Sequence, residues 1–247
     1  MLDKINIVLS HTSHPGNIGA TARAMKTMGL SKLVLIKPKK FPSAEATVRA
    51  TKADDILENA RVVETVDEAL KEFSLVIGTS ARSRALDAPL LTARELAEKL
   101  VLDYQDEKVA ILFGTESAGL TNEEVSRCHY HVYIPANPEY CSLNLASAVQ
   151  LISYELRIAF LTNPEINVGK LAKKEANPPV TAEQMEGFYA HLESTLIGTG
   201  YFNPMHPKLL MSRLRRLFNR TRPDNSEMQI LRGILSSVEK GFKNSNV

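Results

Sequence analysis

Cysteine is scarce: Cys128 and Cys141 are the only two in 247 residues, too few for a disulfide framework. A reducing, cytosolic home is the simplest expectation. No apolar run approaches the roughly 18 residues needed to cross a bilayer, and residues 1–10 lack the layout of a signal peptide. No membrane partner is therefore expected. Charge of one sign is lacking as well, because 30 Lys/Arg against 28 Asp/Glu leave a net charge of +2. Neither G-x-G-x-x-G after a strand nor G-x-x-x-x-G-K-[ST] occurs, which takes most of the weight from a dehydrogenase or a P-loop enzyme. Cys128–His129–Tyr130–His131 has no partner cluster at zinc-like spacing, and alternate strand residues point opposite ways. Core packing, not a metal site, is expected there. His11 and His14 likewise read as loop residues rather than ligands.

What is present is an ordinary globular composition, 44% hydrophobic and 23% charged, in a chain long enough for one domain plus a small second one. The first two-thirds alternates short apolar runs with helical patterns. The strands expected are 5–9, 33–36, 61–63, 75–78, 109–113 and 131–134. Helices are expected at 18–28, 53–58, 66–71, 93–100 and 122–128, with a longer one at 144–161. Near-continuous apolar strands alternating with helices predict an α/β domain with a parallel sheet. After Leu161 the pattern changes. Residues 165–179 are polar and proline-bearing and read as a linker. Beyond them run three apolar stripes: Met185, Phe188, Leu192 and Leu196; Leu210, Leu214 and Leu217; Met228, Leu231, Leu235, Val238 and Phe242. The chain therefore divides into a 1–164 domain, a linker and a 180–247 helical module. Charge divides with it, since residues 1–164 hold 18 Lys/Arg and 20 Asp/Glu while 165–247 hold 12 and 8. Six cations and no acid lie between Lys208 and Arg222, an excess that attracts polyanions or simply solvates a helix face.

Three segments follow strands, where an open parallel sheet presents its ligand crevice. The first, residues 14–23, carries Gly16 and Gly19, suited to close backbone approach, and then Arg23. Arg23 can clamp an anion through its planar fork, or be a plain surface cation. The second, residues 111–120, runs an apolar strand into Gly114 and the single carboxylate Glu116, with 121–124 starting a helix. Gly114 would let a ligand lie against the backbone. The third, residues 134–148, is a proline-stiffened loop leading through Ser142 and Asn144, both good N-cap residues, into a helix opened by small side chains.

Together these segments resemble the motifs of the SPOUT superfamily, in its SpoU/TrmH branch of RNA ribose methyltransferases: N-I-G-x-x-x-R at 17–23, G-x-E-x-x-G-L at 114–120 and S-L-N at 142–144. The tail, with G-T-G-Y-F at 198–202 and L-R-R-L-F-N-R at 214–220, is similar to that of the TrmJ-type enzymes of this branch. The resemblance implies a trefoil-knotted α/β domain, S-adenosylmethionine as methyl donor, a homodimer and tRNA as substrate. The target it implies is the ribose 2′-hydroxyl of C or U at anticodon-loop position 32. The donor pocket implied is Thr79, Ser80, Ala81, Gly114, Ile134, Cys141, Ser142 and Leu143. Arg23 becomes the catalytic residue, with Asn17, Glu116, Ser142 and Asn144 completing the catalytic set. A guanidinium holds its proton too firmly to be a general base, so Arg23 is expected to orient the nucleotide and steady the developing alkoxide. Arg213, Arg215, Arg216, Arg220 and Arg222 are expected to contact the tRNA backbone. A sulfonium brings its own leaving group, so the chemistry calls for no metal. The alternatives are a ribose methyltransferase acting on rRNA or another tRNA position, and a non-catalytic RNA-binding protein of the same fold.

Overall fold

The computed structural model describes residues 2–81, 89–163, 178–207 and 209–245. The chain divides into two compact units, Met1–Lys173 and Lys174–Val247. In the first, strands β1 (Ile5–Ser10), β2 (Lys32–Ile36), β3 (Arg61–Val63), β4 (Leu75–Thr79), β5 (Leu90–Thr92), β6 (Val109–Phe113) and β7 (Tyr130–Tyr133) form one seven-stranded sheet. Its order is β3-β2-β1-β6-β4-β7-β5, and every neighbouring pair is parallel. The strands are apolar almost throughout because helices cover both faces: β6 is buried at all five positions.

The helices are α1 (Pro15–Met28), α2 (Ala44–Ala50), α3 (Asp54–Glu58), α4 (Val66–Leu70), α5 (Ala93–Asp103), α6 (Asn122–Ser126) and α7 (Leu145–Thr162). Several start where a Thr stands three residues before a Glu. Thr92 with Glu95 opens α5 and Thr121 with Glu124 opens α6, each as a reciprocal capping box. Two elements, β5 and α2, lie where the sequence pattern predicted none. Strand β5 has three residues, too few for a period-two signal. Helix α2 buries only Ala46 and Ala50, so no large apolar stripe marks it. Helix α1 begins at Pro15, three residues earlier than its apolar period implies, with proline at a first-turn position where its missing N–H costs nothing.

The second unit holds α8 (Ala182–Gly198), α9 (Leu210–Thr221) and α10 (Asn225–Ser245). Its core is Val180, Met185, Phe188, Tyr189, Leu192, Met228 and Leu235, closed by an edge-to-face contact of Phe188 and Phe218 with centroids 4.8 Å apart. Most of the expected linker, residues 165–177 of it, lies outside the described residues. Among the described residues, no helix is long and apolar enough to cross a membrane.

Gly19 shows what the α1–α2 contact demands. A Cβ there would meet the Ala46 carbonyl oxygen at 2.0 Å, so the close approach this glycine permits is that of a neighbouring helix. Gly19→Ala should destabilise the α/β unit by about 1–3 kcal/mol, as overpacking does. Urea unfolding checks this, and an unchanged midpoint would contradict the packing described.

Candidate active site

In an all-parallel sheet every strand ends on the same side, and neighbouring β6, β4 and β7 end together over one cavity of about 690 Å³. That volume is within the usual range for small-molecule sites. The loop after β4 supplies Thr79, Ser80 and Ala81; the loop after β6 supplies Gly114 to Leu120; the loop after β7 supplies Ile134, Cys141, Ser142 and Leu143. Leu145, Ala148 and Ile152 of α7 form an apolar wall. All eight residues expected around the donor are thus brought to one cavity. The loop after β4 is pinned on both sides, to β6 and to β7. Thr79 Oγ1 donates to the Leu112 carbonyl at 3.1 Å, and the Ser80 N–H donates to the Val132 carbonyl at 2.9 Å.

Gly114 lines the cavity and also serves a turn of the chain itself. A Cβ on it would meet the Gly119 carbonyl carbon at 2.0 Å and the Leu120 nitrogen at 2.2 Å. The backbone that needs its missing side chain is the chain's own turn, closed by paired Thr115–Gly119 hydrogen bonds of 3.1 and 2.9 Å with Gly119 at φ +71°.

Glu116 is the best-connected group at the cavity. Its carboxylate accepts from the Ser13 N–H at 3.1 Å, the Ser13 hydroxyl at 3.0 Å and the Asn17 side-chain amide at 2.9 Å, with a longer 3.4 Å contact from the His14 N–H. Asn17 in turn accepts from the Asn144 side-chain amide at 3.0 Å, and Asn144 Oδ1 accepts from the Ala146 N–H of α7 at 3.0 Å. Asn144, not Ser142, is therefore the N-cap. Partial burial on its own would raise the Glu116 pKa, but the bonds from Asn17, from its own backbone N–H and from Ser13 outweigh it and hold the group at about 2. So firmly held an anion is a poor proton acceptor, and Glu116 acts here as a tie between loops.

Arg23 stands apart. It lies on α1 six residues beyond Asn17, roughly 9 Å along the axis, with its side chain exposed and outside the cavity lining. Among the described lining residues there is no Lys or Arg. Cys128 and His131 are buried, and among the described residues no group of His, Cys, Asp and Glu could hold a metal.

The five tail arginines have different surroundings. The Arg215 guanidinium grips Glu186 through both carboxylate oxygens, at 2.6 and 2.7 Å, and stacks 4.3 Å from the Tyr189 ring centroid. This fork ties α8 to α9, which is a different task from the expected backbone contact. Sequence spacing carried no sign of it, since Glu186 is 29 residues away. Arg222 closes α9 as its left-handed C-cap, half-buried. Arg213, Arg216 and Arg220 are exposed at helical spacing on one face of α9.

Residues 4–154 match the model of the SpoU rRNA Methylase family, and residues 183–246 match that of the tRNA methyltransferase TrmJ C-terminal domain. A tRNA (cytidine/uridine-2'-O-)-methyltransferase TrmJ from Escherichia coli K12 is 51% identical over 243 residues, 98% of each chain. The crystal structure of TrmJ from Z. mobilis ZM4 is 34% identical, with a TM-score of 0.81 over 95% of this chain and 98% of that one. A structure concerned with the 2-OH methylation of C/U34 on tRNA is 26% identical, with a TM-score of 0.52 over 64% of this chain and 97% of that one.

The Glu116 network has a pH signature. Because its folded pKa of about 2 lies below the ordinary 4.5, its stabilising effect is complete above pH 4.5 and is lost as the pH falls toward 2. Wild type should exceed Glu116→Gln in urea stability by a constant margin from neutrality to about pH 4.5, narrowing below that. A margin that ignores pH would show that the carboxylate charge is not what holds the loops.

Proposed function

The chain belongs to the SpoU methylase family, and from that premise we propose that it transfers a methyl group from S-adenosylmethionine to the ribose 2′-hydroxyl of C or U in tRNA, at anticodon-loop position 32. The observation that carries this reading is the single cavity at the ends of β6, β4 and β7, lined by all eight residues whose motifs imply a donor pocket. A chamber walled by Phe113, Ile134, Leu145 and Ile152 with a few hydroxyls and loop backbone suits a nucleoside-bearing donor. When bound, that donor supplies a sulfonium methyl group whose bond to sulfur breaks as the bond to the ribose oxygen forms.

The protein's part is to place the ribose oxygen in line and to steady its negative charge as its proton passes to solvent water. Thr79, Ser80, Ala81, Gly114, Ile134, Cys141, Ser142 and Leu143 hold the donor, and Ser142 at the cavity lining is placed to meet the ribose. Asn17, Glu116 and Asn144 keep the loops in register. With no cation in the described lining, positive charge for the alkoxide must come from outside the cavity wall, and Arg23 is the residue we assign to it. A trefoil knot in the α/β unit belongs to the same reading.

The second unit is the tRNA-binding module of this proposal. Arg213, Arg216 and Arg220 face phosphates, while Arg215 holds the module together and Arg222 ends its helix. The working form is a homodimer. On α7, Leu151, Tyr154, Ile158 and Leu161 are spaced three and four apart and are 41%, 47%, 37% and 52% exposed, an apolar stripe that a second copy would cover. A cytosolic location goes with the substrate.

Mass-spectrometric mapping of tRNA incubated with the protein and S-adenosylmethionine should show a ribose methyl group at position 32. Modification only at 34, or only of rRNA, would move the assignment to the alternative substrate. Arg23→Ala should lower the single-turnover rate at saturating tRNA at least tenfold, and Ile158→Glu should convert a sedimenting dimer into a monomer. A full rate in the first variant would remove Arg23 from the chemistry, and an unaltered dimer in the second would move the interface elsewhere.

A further inference from the structure

One side chain at the cavity has no task in the mechanism above. His131 lies inside β7 at 1% exposure, and neither Nδ1 nor Nε2 has a hydrogen-bond partner. Buried polar groups are nearly always paired, so an orphaned one points to a missing partner or to a functional role. The surroundings leave room for the ring and offer it little beyond the nearby Gly78 backbone. Opposite it on β4 stands Gly78, where a Cβ would come within 2.7 Å of Cys128 Sγ and 3.0 Å of His131 Nδ1. The nearby Cys128 thiol donates to the Glu124 carbonyl at 3.2 Å, and burial pushes its pKa up, so it stays a neutral thiol already engaged elsewhere. Burial also holds the imidazole below the ordinary histidine pKa, against a smaller opposing effect of the Gly78 backbone. The ring is therefore neutral, with one N–H to give and one lone pair to accept.

The cavity is where a partner can come from. His131 is part of its lining, together with Leu120, Val125 and Val132. Its near-complete burial puts it at the closed end, whereas Leu143 at 38% exposure belongs to the open one. An apolar recess with a single neutral group able to donate and accept matches the adenosine part of the donor, whose amino group, ring nitrogens and hydroxyls offer both kinds of partner. The charged amino-acid end fits it poorly.

We propose that His131 is a positioning residue for the methyl donor, its neutral imidazole hydrogen-bonding the adenosine moiety at the closed end of the cavity. This rests on the donor-binding reading above. It differs from a packing role in a measurable way. A histidine kept for packing would lose stability on replacement and leave ligand affinity alone. One kept for a ligand does the reverse, since removing an unpaired buried group relieves a cost in the empty protein.

S-adenosylhomocysteine serves as the probe, titrated calorimetrically into the full-length wild type, His131→Phe and His131→Gln at pH 7.5. His131→Phe should bind about tenfold more weakly, the worth of one hydrogen bond, with an unliganded Tm equal to or above wild type. His131→Gln, which keeps a donor and an acceptor, should fall between the two. A Phe variant that binds as tightly as wild type overturns the proposal. Should that variant fail to fold, ring-15N NMR of histidine-labelled wild type decides: the His131 nitrogens should shift on adding the probe, and unshifted ones overturn it. No uptake by the wild type would instead sink the donor-binding reading itself.

Discussion

The Glu116 carboxylate accepts from Ser13 and Asn17, and through Asn17 it reaches Asn144 at the head of α7. Loops leaving β1, β6 and β7 are thereby fastened at one point, and the cavity between β4, β6 and β7 takes its shape from that fastening. Charge is what makes the tie firm. An ionised acceptor forms shorter and stronger hydrogen bonds than a neutral one, and the depressed pKa shows the anion to be the bonded form. The same fact removes Glu116 from the list of plausible proton acceptors. A residue whose motif position suggests chemistry thus contributes geometry instead.

Much of this was legible in the sequence, for identifiable reasons. Strands such as 109–113 are buried on both faces and leave unbroken apolar runs, so the parallel sheet could be read directly. The helices of the second unit carry long apolar stripes, and their existence followed from spacing alone. Elements without such a mark are not legible in the sequence. Strand β5 is three residues at the sheet edge, and α2 buries only alanines, its Ala46 backbone lying against Gly19 of α1. The site was legible as loops but not as contacts. That Gly114 serves its own turn, and that Arg215 belongs to Glu186 and Tyr189, depends on partners brought close only by the fold. The sequence pattern places His131 in the core, which its burial supports; its lack of a partner is visible only in three dimensions.

The two units divide the demands of the proposed reaction. The α/β unit carries a small cavity with few polar groups and no lining cation among its described residues, which suits holding one ligand in one orientation. The helical unit concentrates exposed arginines on α9, which suits a long polyanion recognised through its backbone. Family membership rests on both parts of the chain, since each matches its own family model.

The central claim is that the loops fastened by Glu116 enclose one site for the methyl donor. A crystal structure of the protein with S-adenosylhomocysteine tests it most directly. The account predicts the ligand between residues 79–81, 114–116, 134 and 141–143, with the Glu116–Asn17–Asn144 bonds intact. A ligand bound elsewhere, or those bonds broken when it binds, would contradict it.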